Sequence, residues 1–318
     1  MRRERDAIAN QARRRNAFGV SSFAFGAVVA AIGVFLILPT VIVLPISLAA
    51  AEHLQFPPQS LSLRWYGAYF DSAAWTDPTV FSLQIAAIVA VASVIVGTSA
   101  AFGMVRGSLG RVRGVVSGFL LGPLIIPGII YAIAVLLFFS PLRLSGTLAG
   151  FILAHGALAL PYVVLVVSAA LYRLDPDLEL AAMGLGASRA AAVRHVTLPL
   201  IWPAVVIAGV FAFLTSFDEA TVAFFISGVS DVTLPRKMFE NVQFTVSPIL
   251  AVVATLLTTV SLVLLGGSQA LQVIVVRRQT GSSDARASTP GDDLESWRLV
   301  TTGVVDPTGK GVPPESPL

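Results

Sequence analysis

Two adjacent carboxylates, Asp218 and Glu219, stand in an otherwise apolar run, "VVIAGVFAFLTSFDEATVAFFISG". An ionised group at bilayer depth costs at least about 2.5–3.5 kcal/mol on insertion scales, so such groups face a cavity or an opposite charge. Two carboxylates in that setting can replace water around an ammonium. Ser216 adds a neutral hydrogen-bonding group, and Phe213, Phe217, Phe224 and Phe225 offer ring faces for cation–π contacts of about 0.5–2 kcal/mol each. Two other readings compete: the acids cap a broken helix through its backbone, or they sit at an interface with a second chain. Neighbouring helical residues point about 100° apart, so the two can have separate roles.

A second stretch, "DLELAAMGLGASRAAAVRHVTLPL" from Asp177 to Leu200, separates two long apolar runs. Asp175 and Pro176 form a good helix start, and the alanines that follow favour helix. Gly184 and Gly186 are expected inside it, at a propensity cost of about 1 kcal/mol each. Their small size would let another surface come close. Leu198-Pro199 is expected to end the segment and turn it into the next apolar run. The stretch thus reads as a short helix outside the bilayer that seats in a groove of a partner. An ordinary alanine-rich connector is the plainer reading.

Other chemistry finds little support. The chain has no cysteine, which removes disulfides, thiol nucleophiles and cysteine-based zinc sites. His53, His155 and His195 are scattered, without metal-ligand spacing, so no metal site is expected. His155, inside an apolar run, reads as a packing residue bonded to a neighbouring helix. No hydroxyl has a recognisable base partner, and no Gly-x-x-x-x-Gly-Lys-Ser/Thr phosphate loop occurs.

The elements that hold these residues are long apolar runs. Of 318 residues, 55% are hydrophobic and 12% charged, with a mean hydropathy of +0.82, where soluble domains carry about 25% charged residues. A bilayer span needs about 20 apolar residues and must be helical to satisfy its own backbone. The fold class is therefore all-α integral membrane, with six transmembrane helices at 18–51, 79–104, 115–139, 147–171, 201–226 and 247–276. The first run is too long for a signal-peptide core, and Pro39 and Pro45 are expected to kink its outer end. "RWY" at 64–66 reads as an aromatic anchor at the membrane surface, or as part of a docking face.

Three parts follow: a basic head (1–16), a six-helix domain (17–276) with the loop 172–200, and a polar tail (277–318) expected to be disordered. Seventeen Lys and Arg residues fall on the side of the head, the loops with Arg106, Arg111, Arg113, Arg173, Arg189 and Arg194, and the tail. Only Arg64, Arg143, Arg236 and Lys237 fall on the other. The excess places both termini and the loop 172–200 in the cytoplasm. The arginines of the head can also touch anionic lipid.

The spacing in the loop resembles the "EAA" pattern of ABC-importer permeases: two alanines (Ala181, Ala182), three residues, Gly186 and Ala187, then Val196, Thr197, Leu198 and Pro199. The glutamate usual before the alanines is replaced by Leu180, and Glu179 stands one position earlier. With "FPPQSLSLRWY", "HGALALPYVV", "SFDEATVAFFISG", "TLPRKMFENV" and "SPILAVVATLL" in order, residues 56–270 resemble the spermidine/putrescine (PotC-like) permease family. The resemblance implies a type I ABC-importer permease fold and a transport subunit without its own ATPase site. ATP and magnesium would be held by two partner ATPase subunits, so no cofactor is expected in this chain. It further implies a second permease, most simply as a heterodimer, an extracytoplasmic solute-binding protein and a bacterial inner membrane; nucleic acid is not an expected partner. It assigns ATPase coupling to Glu179, Ala181, Ala182, Gly186, Ala187, Leu198 and Pro199, and a solute pathway to Asp218 and Glu219, with Ser216, Phe213 and Phe217. The competing functions are the same type of permease for another small solute, an ion-coupled secondary transporter, a membrane enzyme, and a permease-like subunit that has lost transport.

Overall fold

The computed structural model describes residues 2–228, 231–244 and 247–287, with side chains from 25 to 273 within those ranges. Its elements are α1 (Arg2–Ser47), α2 (Arg64–Phe70), α3 (Ala73–Arg106), α4 (Arg113–Leu121), α5 (Gly128–Phe139), α6 (Leu148–Arg173), α7 (Asp177–Gly184), α8 (Arg189–Ala192), α9 (Leu198–Phe217), α10 (Thr221–Ile226), α11 (Leu234–Phe244) and α12 (Ile249–Ala287). Among the described residues the only β pairing is an isolated bridge between Ala49 and Leu61.

Among the described residues five helices are long and apolar enough to cross a membrane: Phe25–Ser47 in α1, α3, α6, Arg189–Phe217 and Ile249–Val273 in α12. The expected third span, 115–139, is not one rod. Its two helical pieces, Gly110–Leu124 and Gly128–Phe139, meet at 103°. The cause lies in "GPLIIPG": Pro123 and Pro127 lack the donors a continuous helix needs, and the bend falls at Pro127, whose backbone is extended (φ −54°, ψ 131°) just before the second piece begins. Counted as one bent crossing, this pair brings the total to six.

Three further boundaries move. α1 is continuous from Arg2 through Pro39 and Pro45, so the backbone does not break between the basic head and the first span. The fifth span divides at Asp218–Ala220 into α9 and α10. α12 runs on to Ala287, so residues 277–287, expected as the start of a disordered tail, are helical. The stretch from Ala270 onward forms a second unit; residues 288–318 lie outside the described residues.

The core is a trio of α3, α6 and α9. α3 contributes Ile85, Val89 and Ala101, α6 contributes Phe151, Ala159, Val163 and Leu171, and α9 contributes Ile201, Ala208 and Ala212. Small residues let these backbones approach, the usual device where lipid removes the hydrophobic advantage of large side chains. α5 and α10 pack onto the trio through Ala132, Val135, Val222 and Ile226. At the end opposite the loop 172–200, Tyr69, Trp75, Leu234, Val252 and Val253 form a smaller cluster. There Trp65 donates its indole N–H to the Ala51 carbonyl (3.0 Å) and Tyr66 shares a hydrogen bond with Ser47 (2.9 Å), so both rings tie α2 to the end of α1. None of the most apolar window of α1 is buried within the chain.

Candidate functional site

The loop begins where α6 ends. The Asp175 carboxylate accepts from the Asp177 backbone N–H at 2.9 Å, and the Glu179 and Leu180 N–H groups bond the Pro176 carbonyl, so Asp175-Pro176 starts α7 as its chemistry requires. The far end of α7 is closed by two bonds: Ala187 N–H to Ala182 O (3.1 Å) and Gly186 N–H to Met183 O (2.9 Å). This is a Schellman motif, and it places Gly186 at a φ of +94°, outside the helix. A Cβ at Gly186 would meet no atom within 4 Å. Gly186 therefore serves the turn's conformation; the room its small size leaves is a lesser matter. Gly184 is the last residue of α7.

Ser188 then caps α8, accepting from Ala191 N–H at 3.2 Å. Leu198-Pro199 does not turn the chain. Val193–Thr197 forms a π-helical turn, with Leu198 N–H bonded to Val193 O, and α9 continues from it. Pro199 would clash with the carbonyl four residues earlier in a tight α-helix. The widened π-turn removes the clash and keeps the helix whole.

Glu179 points inward and is only 8% exposed. Its Oε1 accepts from the Thr197 hydroxyl at 2.8 Å and lies 3.3 Å from Arg106 Nε, an ion pair outside hydrogen-bonding alignment. Arg106 also donates to the Leu174 carbonyl at 3.0 Å, and Arg189 donates to the Arg106 carbonyl at 3.1 Å. Arg113 donates to the Tyr172 hydroxyl. Arg106 and Thr197 complete this cluster, and neither is singled out in sequence as a partner of Glu179; Thr197 stands there only as part of the motif's spacing. In sequence, Arg106 reads as one of the arginines that set topology. The signal available was a lone glutamate in a small-residue helix, which needs a cation when buried.

The remaining motif residues sit apart from this clamp. Ala181 is exposed, Ala182 and Ala187 are half-buried, and Leu178, Leu180 and Leu185 are exposed, Leu185 at 91%. A cavity of about 660 Å³ opens beside the clamp, lined by Phe102, Arg106, Glu179, Arg189, Arg194 and Leu198 among others.

The acids lie at the break in the fifth span. Glu219 Oε1 accepts from Val222 N–H at 2.9 Å and so caps α10, the bracing role weighed above. Asp218 follows the last residue of α9 and is exposed. Ser216 is buried, and both its hydroxyl (3.0 Å) and its carbonyl (3.2 Å) meet His155 Nδ1. His155 is thus a packing residue that ties α6 to the break. Phe217 is 3% exposed and stacks on half-buried Phe213, centroids 5.4 Å apart. Ser216 and Phe217 thus hold the break from within, while Asp218, Glu219 and Phe213 reach its surface. Beside it, Ile129, Ala220, Thr221, Phe224, Phe225, Phe239 and Gln243 line a cavity of about 210 Å³. Among the described residues no cluster of three or more acids or histidines has metal-binding geometry.

Residues 93–280 match the family described as "binding-protein-dependent transport system inner membrane component". The putrescine transport system permease protein PotI of Escherichia coli (strain K12) is 37% identical over 206 residues, 62% of this chain and 72% of that protein. The spermidine/putrescine transport system permease protein PotC of Haemophilus influenzae is 33% identical over 211 residues, 66% of this chain and 82% of the relative. Among solved structures, a chain of a bacterial ABC transporter involved in import of the acidic polysaccharide alginate aligns with a TM-score of 0.61 at 14% identity, covering 78% of this chain and 94% of that one. A chain of the inward-facing MetNI methionine ABC transporter aligns with a TM-score of 0.53 at 17% identity, covering 65% and 95%. The fold is that of type I ABC-importer permeases, and the protein is a multi-pass membrane protein. By the match across its spans and its loop, the chain belongs to the family of binding-protein-dependent transport system inner membrane components.

Proposed function

We propose that this permease subunit forms half of the path for a small cationic solute of the polyamine class, and that the loop 172–200 seats on an ATPase subunit. The observation that carries the docking is the apolar surface of α7. Leu178 near the start of α7, Leu180 in its middle and Leu185 just past its end are exposed, while the inward side chain Glu179 is already paired. Apolar surface held clear of the chain's own core calls for a partner groove. Leu180 then offers apolar contact where relatives of the pattern offer a charge, and Glu179 has a different role inside the chain. Closure of the ATPase pair on ATP and magnesium would move α7, with both termini and the loop on the cytoplasmic side of a bacterial inner membrane.

The polyamine class rests on the permeases named above and on the acids at the break. The bare apolar faces of α1 support a second permease as neighbour. A binding protein on the opposite side, and two ATPase subunits, complete the assembly.

The test is reconstitution of the whole complex in liposomes. Spermidine or putrescine, delivered by the binding protein, should raise ATP hydrolysis and be taken up. Uptake by this chain without ATP would replace the proposal with ion-coupled transport. Within the assembly, Asp218→Asn should lower uptake about tenfold, the value of one lost 1.4 kcal/mol contact. Glu219→Gln keeps an acceptor for Val222 N–H and should preserve the fold of the break while weakening the solute's passage. Unchanged uptake kinetics in both variants would remove the acids from the pathway.

A further inference from the structure

We propose that Arg106, Glu179 and Thr197 form a strut that carries movement of α7 directly into α3 and α9, which makes the three positioning residues for coupling. The inference rests on the docking of the loop and names how docking acts on the spans.

Apart from the strut, α7 packs on α8 and the π-turn and is joined to the core by two chain links, Leu174–Pro176 before it and Leu185–Ser188 after it. Both are short non-helical links that can absorb a push by changing their backbone angles. Glu179 removes that freedom. It lies in the first turn of α7, and one oxygen reaches both the π-turn that leads into α9 (Thr197, 2.8 Å) and the last residue of α3 (Arg106, 3.3 Å). Arg106 in turn holds the end of α6 through Leu174 O and is held by Arg189 from α8. The end of α3 and the π-turn leading into α9 therefore meet α7 at one point, and Arg106 links that point to the end of α6. Thr197 is fully buried, and the Glu179 and Arg106 side chains keep 11% and 16% of their exposure. Separating the pair would leave two largely buried charges without each other, which is unfavourable even with the cavity beside them. Displacing α7 while keeping the pair together moves the helix ends instead. The π-turn places Thr197 for this contact: widening by one residue per turn rotates the hydroxyl relative to the helix beyond it.

The chain has no cysteine, so paired labels can be introduced cleanly. Spin labels at exposed Ser108, just after α3, and exposed Asp177, the first residue of α7, report whether the two elements move as one. In the full complex, with partner permease, ATPase subunits and binding protein, the label distance should stay narrow and unchanged when ATP and vanadate are added. In Glu179→Gln and in Thr197→Val it should broaden or shift on the same addition, and Thr197→Ser should restore the wild-type behaviour. ATPase subunits should still co-purify with these variants and hydrolyse ATP, while spermidine or putrescine taken up per ATP falls about tenfold, inside the usual range of coupling effects. The double variant Arg106→Gln/Glu179→Gln should be no worse than the poorer single one. Three results would each overturn the strut: a wild-type distance that changes with ATP, label distances indifferent to Glu179→Gln and Thr197→Val, or additive losses in the double variant. Failure of the docking itself shows separately, as ATPase subunits that co-purify undiminished with Leu185→Asp; that result overturns the strut as well.

Discussion

Replacing Gly97 with alanine should lower the stability of the purified chain by about 1–3 kcal/mol, the usual effect of forcing a methyl group into a filled core. A Cβ at Gly97 would lie 2.7 Å from Val163 Cγ1, 2.8 Å from Val163 Cβ and 3.4 Å from Leu160 Cδ1. Val163 is fully buried and β-branched, so it has few rotamers with which to yield. The backbones of α3 and α6 must separate instead, along the seam at the centre of the core. Val163→Ala in the same chain removes the first contact and leaves the second, so it recovers part of the loss. Two other glycines provide an internal scale. A Cβ at Gly209 would meet only the tip of Val94, at 3.2 Å, and one at Gly156 would meet nothing within 4 Å. Alanine should therefore harm the chain most at 97, less at 209 and least at 156. Thermal unfolding in detergent reads the order directly. A neutral Gly97→Ala would mean that α3 and α6 do not pack as closely as described.

Much of this architecture was legible because bilayer thickness fixes the length of a span, and five runs declare themselves by apolar length alone. The loop was legible by its spacing, from the paired alanines to Leu198-Pro199. Local breaks were harder. "GPLIIPG" carries both prolines that bend the third span, yet its unbroken apolarity reads as one rod, because hydropathy is blind to missing donors. Leu198-Pro199 reads as a turn, yet a π-turn lets the helix pass through it, a solution that only the three-dimensional backbone reveals. At the break in the fifth span, the acids' cost in lipid pointed to a special place. Glu219 capping α10 and Ser216 bonded to His155 show that part of that cost is met by the chain's own backbone and side chains. The Arg106–Glu179 pair joins residues far apart in sequence. Each residue alone has an ordinary explanation, in topology for one and in motif register for the other, so only their proximity discloses the pair.

Gly186→Val should abolish most transport while Gly184→Ala leaves it intact, although the two glycines are separated by one residue. If the glycines were there only to leave room for a partner, both sites would suffer, Gly184 as much as Gly186, since both are exposed. The geometry separates them. Gly184 is helical, with no atom within 4 Å of an added Cβ, and alanine there raises helix propensity by about 1 kcal/mol. Gly186 has equal space but a φ of +94°, further from the left-handed minimum than side-chain-bearing residues ordinarily go. A Cβ in left-handed backbone costs about 1–2 kcal/mol, and a β-branched one more. The chain can relieve that strain only by releasing the Gly186 N–H from Met183 O and the Ala187 N–H from Ala182 O, which frees the end of α7. Leu185, the most exposed apolar residue of the loop, would then lose its fixed position before any partner. Gly186→Tyr adds bulk to the same strain. Membrane insertion should be unchanged in every variant, because no span is touched. Uptake should fall about tenfold or more for Gly186→Val and Gly186→Tyr, as 1.4 kcal/mol or more of misplacement implies. Retained uptake and ATPase binding in both would show that the loop does not dock through the turn. Loss in Gly184→Ala as well would return the explanation to simple close approach.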